Sequence, residues 1–134
     1  MASKSPLKKK IEATIPAAGA TANADQVVGE TPVTGTVSSV SITPEAAVTG
    51  HDTNTRTFTL VNKGAAGSGT TVIGTLALVA SNDLVAFDEK EFTLSAVEGA
   101  TTVAKGDILA VVEAYAASGL AHSGGLVQVE IDRS

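Results

Sequence analysis

The segment Gly64-Ala-Ala-Gly-Ser-Gly69-Thr70-Thr71 has the glycine spacing of a Walker A loop, in which backbone N–H groups cradle a phosphate and a lysine reaches it. Thr70 stands where that lysine must be. Val72-Ile73 then continue as a strand, so no helix N-terminus is offered to an anion. The dinucleotide version fails as well, because Val72 occupies the third glycine position after Gly67 and Gly69. The reading that survives is a hairpin loop whose glycines permit positive φ.

Three further constellations could do chemistry. His51-Asp52-Thr53-Asn54 holds two metal-ligand types and an amide, yet calcium needs six or more oxygens and the next carboxylate is Asp83. A turn in which Asp52 or Asn54 bonds its own backbone fits better. His122 precedes Ser123-Gly-Gly125, and a Ser–His pair can be drawn with Asp52 or Asp107. Without a nucleophile elbow or an oxyanion-hole segment, that is an inventory of residue types. Asp88-Glu-Lys-Glu91 places carboxylates close together, but a glycosidase also needs aromatics to hold sugar, and the chain has one Tyr and no Trp. No catalytic residue, metal or cofactor is expected, and the chain reads as a non-enzyme.

The elements that position these residues read as strands. Arg56-Thr-Phe-Thr-Leu-Val-Asn-Lys63 alternates Phe58 and Leu60 against Thr57 and Thr59, the pattern of a half-buried strand. Thr71–Ala80 is apolar on both phases, as a central strand covered on two sides would be. Residues 34–43 alternate with a phase slip at Ser38-Ser39, which predicts a β-bulge. Phe92, Leu94 and Ala96, then 108–115 and 126–131, complete the set, with turn signals at Asn82-Asp83, Gly106-Asp107 and Gly124-Gly125. No helix of ten or more residues separates the strands, so a parallel α/β sheet is not expected. The expectation is an all-β, antiparallel, jelly-roll-like β-sandwich over residues 33–134, with a β-tulip as the alternative. Residues 1–32, punctuated by Pro6, Pro16 and Pro32, read as an extended or partly disordered arm with a short helix near Asn23–Val28.

Composition narrows the function. With 134 residues there is one domain. Aromatics are 3%, so the core is aliphatic and a stacking platform for bases or sugars is not expected. There is no Cys, which removes disulfides and thiolate zinc sites. Basic residues near Met1 have no apolar segment behind them, so no signal peptide is expected, and no apolar run has the length of a membrane helix. The net charge is −5; residues 1–32 carry four Lys against three acids, +1, leaving −6 on the remainder. An acidic body repels phosphate backbones, so neither nucleic acid nor membrane is expected as a partner.

Taken in order, Asn54–Gly64, Gly67–Ile73, Leu84–Phe87, Val103–Leu109 and Gly119–Val127 resemble the head decoration, or capsid cement, proteins of tailed bacteriophages. The resemblance covers most of residues 33–134 and rests on the order and spacing of its segments. It implies a protein made in the host bacterial cytoplasm that binds the exterior of an assembled shell, with the major capsid protein as partner and a homotrimer at local threefold positions. On that analogy Lys8, Lys9, Lys10, Ile11 and Ile15 of the arm are expected to touch the capsid. Gly67, Ser68, Gly69, His122 and Ser123 are expected at the trimer contact. The rival of a different class is a virion-displayed receptor- or carbohydrate-binding module.

Overall fold

The computed structural model describes residues 8–134, and every regular element among them is a strand. In chain order these are β1 (Lys8–Ile15), β2 (Gln26–Glu30), β3 (Gly35–Pro44), β4 (Thr55–Gly64), β5 (Thr71–Leu78), β6 (Lys90–Glu91), β7 (Thr93–Leu94), β8 (Thr102–Val103), β9 (Ile108–Ala116) and β10 (Gly125–Arg133). One sheet runs β1-β10-β3-β6, with β8 also on β3; the other runs β2-β9-β4-β5-β7. All pairings are antiparallel. The chain passes from sheet to sheet at β1–β2, β2–β3 and β3–β4, then β9 returns between β2 and β4 and β10 between β1 and β3. That nested wrapping is the jelly-roll form of the expected β-sandwich.

The inward phases supply the core: Val37, Val40 and Ile42 of β3, Phe58 and Leu60 of β4, Leu76 and Leu78 of β5, Leu109 and Val111 of β9, and Val127, Val129 and Ile131 of β10. Each fully buried Val, Leu or Ile contributes about 1.5–3 kcal/mol from water exclusion, so the core is mainly aliphatic, with Phe58 and Phe92 as its buried aromatics. The β3–β10 register jumps so that Ser38 has no partner, which is the bulge expected from the phase slip there. A second bulge leaves Ile73 of β5 unpaired between Val72 and Gly74. It turns Ile73 inward alongside Leu76 and Leu78, which accounts for apolar residues on both phases.

Four expectations differ from the structure. β5 is not covered on two sides, since only two residues of β7 flank it and Val72 and Val79 are exposed. The strand expected at Phe92–Ala96 is split: β6 pairs with β3, β7 pairs with β5, and the chain crosses between the sheets at buried Phe92. Over the described part of the expected arm, β1 pairs along its length with β10 and β2 pairs with β9. The helix expected near Asn23–Val28 is instead the start of β2. Its residues extend because Val28 at a bulge reaches the core. Residues 1–7 of that arm lie outside the described residues.

Register places the loops in two groups. The β1–β2, β3–β4, β5–β6 and β9–β10 connections gather at one end of the sandwich, and the β2–β3 and β4–β5 connections at the other. At the first end the loops touch backbone to backbone. A Cβ on Gly119 would stand 1.9 Å from the Ala20 carbonyl oxygen, at φ +64. Gly67, at φ +83, has nothing within 4 Å of the same added atom. Gly119→Ala is therefore expected to destabilise the fold by about 3 kcal/mol or more, from collision plus backbone strain. Gly67→Ala carries only the strain, about 1–2 kcal/mol. Chemical-denaturation midpoints of the two variants check the ordering.

Candidate functional site

Arg56 opens β4 on the same phase as Phe58 and Leu60, so the strand carries its guanidinium inward. Glu113 lies on the corresponding phase of β9, following Leu109 and Val111. Both side chains are fully buried, and Arg56 Nη1 donates to Glu113 Oε1 at 2.9 Å. The remaining donors go to loops. Nε donates to the Leu120 carbonyl, Nη1 also to the Ala22 carbonyl and to Asn23 Oδ1, and Nη2 to the Gly19 and Ala20 carbonyls. All five guanidinium N–H groups are thereby used, and the β1–β2 and β9–β10 loops are tied to the β4–β9 sheet.

His122 completes the cluster. Its Nδ1 accepts the Gly124 N–H at 3.0 Å, which leaves Nε2–H to donate to Glu113 Oε1 at 2.9 Å. The ring also meets Phe58 edge-on, with centroids 5.1 Å apart. With Nδ1 accepting from Gly124 and Nε2 donating to Glu113, the imidazole has no lone pair free to take a proton from a nucleophile. The cluster has the composition of an acid–base site and the connectivity of a structural joint.

Burial is the largest influence on the Glu113 carboxyl and pushes its pKa up. Against it act the His122 hydrogen bond, the Ala24 backbone amide and the Arg56 charge, and together they hold the carboxyl below its ordinary value of 4.5. The Ala24 amide acts at a distance, since Glu113 Oε2 has no hydrogen-bond partner. With His122 in the Nε2–H form, Arg56 is the permanent positive charge of the cluster.

The triad drawn from sequence does not assemble. Asp107 accepts from Asn62 Nδ2 at 3.0 Å and from the Ala104 N–H, beside the β2–β3 connection and far along the sandwich from His122. Asp52 adjoins His51, whose Nδ1 accepts the Thr53 and Asn54 N–H groups. The turn there is as expected, but His51 caps it, while Asn54 Oδ1 accepts from the Ser118 N–H. Among the described residues no three His, Asp or Glu side chains converge to hold a metal ion. The Gly64–Gly69 segment is a hairpin between β4 and β5, closed by the Gly69 N–H donating to the Lys63 carbonyl, with Gly64 and Gly67 at positive φ.

Of the residues expected at contacts, Ile15 and His122 need correction. Ile15 is 1% exposed at the inward end of β1 and belongs to the core, and His122 is sealed in the Arg56 cluster, so neither offers surface. Ile11 is half-buried against the same core. Lys9 and Lys10 are exposed, whereas Lys8 is engaged within the chain by Asp132 at 2.7 Å and by Glu130. That hydrogen bond to Asp132 raises the Lys8 pKa. Gly67, Ser68 and Ser123 are exposed and Gly69 is half-buried, but the hairpin and the β9–β10 loop lie at opposite ends of the sandwich. Arg56 and Glu113 were the residues sequence reasoning passed over. Their signal was a charge on the buried phase of an alternating strand.

Beside the edge of β5 is an open groove of about 500 Å³ whose walls include Thr75, Ala77, Lys90 and Glu91. No family model matches the chain, and neither a curated protein nor a solved structure matches it.

Two outcomes follow from this cluster. Arg56→Met is expected to destabilise the fold by about 3–5 kcal/mol, because it leaves Glu113 buried without its charge partner and four carbonyls without a donor. Because the folded Glu113 pKa lies below 4.5, its ionised form stabilises the fold above that pH, and the contribution is lost as pH falls through the lowered value. Glu113→Gln should therefore be less stable than the parent at neutral pH, with the gap narrowing below about pH 4.5. Urea midpoints across that range measure it; a constant gap would contradict it.

Proposed function

We propose that this chain is a virion structural protein that binds the outer surface of an assembled phage capsid and stabilises the shell, acting as a homotrimer at local threefold positions. The observation that carries the reading is where the family resemblance falls on the fold. Within the resembling segments, Arg56 holds the loops, Asn62 donates to Asp107, and Gly119, Gly124 and Gly125 stand where a Cβ would strike backbone. These segments thus build a rigid jelly roll and its loop joints, which is what a cement protein needs.

Surface chemistry supports the same reading. The outer face of the β9-β4-β5 layer presents Val112 and Ala114, Thr57 and Thr59, and Thr75 and Ala77, opposite the buried Phe58 and Leu60. These side chains are uncharged and the adjoining Lys90 and Glu91 offset each other, so copies can meet there without net like-charge repulsion. Binding to the assembled lattice alone would stabilise it by linkage, and three-point attachment would raise the avidity of modest interfaces. A carbohydrate-binding role is less well supported, because no aromatic side chain lines the groove beside β5.

Undecorated capsids of the encoding phage, incubated with the purified chain and imaged, are expected to gain density on their outer surface at local threefold positions. They should also withstand a higher temperature before releasing DNA. Capsids whose surface and rupture temperature are unchanged at saturating protein would overturn the reading.

A further inference from the structure

Phe87 is the most exposed large apolar side chain among the described residues, at 78%, and its backbone is left-handed at φ +63. The Asp88 N–H donates to the Val85 carbonyl, which closes a four-residue turn and puts Phe87 at its third position. A turn with positive φ at that position ordinarily takes Gly or Asn. The Phe87 N–H in turn donates to the Pro44 carbonyl, so the turn is pinned to the end of β3. Folding alone would be served better by glycine, and the ring is held away from its own core.

The surroundings define what could receive it. The β5–β6 loop, 79–89, also carries exposed Val79 and Val85. It is fused to the β3–β4 loop, 45–54, by the paired Val48–Leu84 bridge, by the Gly50 N–H donating to Asp83 Oδ1, and by a Gly50 whose added Cβ would lie 1.8 Å from the Val79 carbonyl oxygen. Across these two loops stand Glu45, Asp52, Asp83, Asp88 and Glu89, all exposed, and no Lys or Arg. Phe87 is thus an apolar anchor on a rigid platform rimmed by carboxylates.

We propose that the Phe87 turn is the docking tip of the molecule and that its occupant is a protein surface offering an apolar pocket rimmed by Lys or Arg. Within the function proposed above, on which this inference rests, that surface belongs to the major capsid protein. The capsid-facing end is then the acidic loop end. Burying an aromatic at the centre of a charge-complementary rim concentrates binding energy in one residue, while the rim sets orientation and salt dependence.

The test uses the full chain and undecorated capsids in a co-sedimentation titration. Phe87→Gly should bind at least about tenfold more weakly, while its Tm is equal to or above the parent's because the positive φ is relieved. Neutralising the rim with Glu45→Gln and Asp88→Asn, or raising salt from about 0.05 M to about 0.5 M, should weaken parental binding. If Phe87→Gly binds as tightly as the parent, or loses thermal stability, the docking tip is overturned and the capsid reading stands. Parental binding that ignores both salt and rim neutralisation overturns the basic partner chemistry. A parent that does not bind capsids at all defeats the capsid reading and this inference with it.

Discussion

The buried guanidinium of Arg56 is the constraint around which one end of this protein is organised. A jelly roll leaves its connecting loops without ladder partners, and loop carbonyls turned inward need donors. Arg56 supplies them from a single point: the Gly19, Ala20, Ala22 and Leu120 carbonyls and the Asn23 side chain converge on it, with Glu113 balancing its charge. A hydrophobic residue of similar volume would remove the desolvation cost of the ion pair. It would also leave four carbonyls unsatisfied, and each such group costs about 1–3 kcal/mol. The charge is retained because it organises backbone, more than because an ion pair is stabilising in itself.

Rigidity at that end follows from packing of backbone on backbone. Gly119 against Ala20 and Gly124 against Ile15 and Pro16 leave no room for a side chain, and Gly50 against Val79 does the same for the neighbouring loops. Among the described residues, the three non-glycine residues at positive φ, Ser81, Phe87 and Ala117, lie in these connections. Strained conformations persist where surrounding contacts over-determine them. The loop end is therefore a preorganised surface, which lowers the ordering cost of binding.

The sandwich itself was legible from local pattern. Alternation in 56–63, the phase slip at Ser38 and the Gly-rich turns each report on a few neighbouring residues, and each appears in the structure. What depended on partners distant in sequence was not legible. Lys8–Ile15 pairs with a strand more than a hundred residues away, and its inward phase is Ile11, Ala13 and Ile15, with Ala13 too small to mark a strand. Three consecutive lysines at the start of the strand disguised it further. Their charge sits on an outermost strand of its sheet, where it discourages unwanted edge-to-edge pairing. The Arg56 cluster was half legible: the inward phase of Arg56 could be read, but its loop acceptors are scattered over two connections that only the closed fold brings together.

Charge distribution recasts how such a molecule can be oriented. A lysine-rich arm suggested contact through residues 8–10, yet Lys8 is held by Asp132 and Glu130, and the strand is integral to the sheet. The carboxylates of the two fused loops are uncompensated by any Lys or Arg within those loops. The far end carries Lys63, Lys105 and Arg133 beside Glu30, Glu98 and Asp107, a near balance. The molecule is consequently polar along its long axis, and a charged partner surface would select one end at encounter, before any short-range contact forms. The exposed Phe87 ring on the acidic end would add a contact-range preference to that long-range one. Neither feature would suffice alone: carboxylates in water are screened within about 8 Å at physiological salt, and a lone ring has no preferred approach. Placed together on loops fused by the Val48–Leu84 bridge, the ring and the carboxylates make the long-range and the contact-range preferences of this surface coincide.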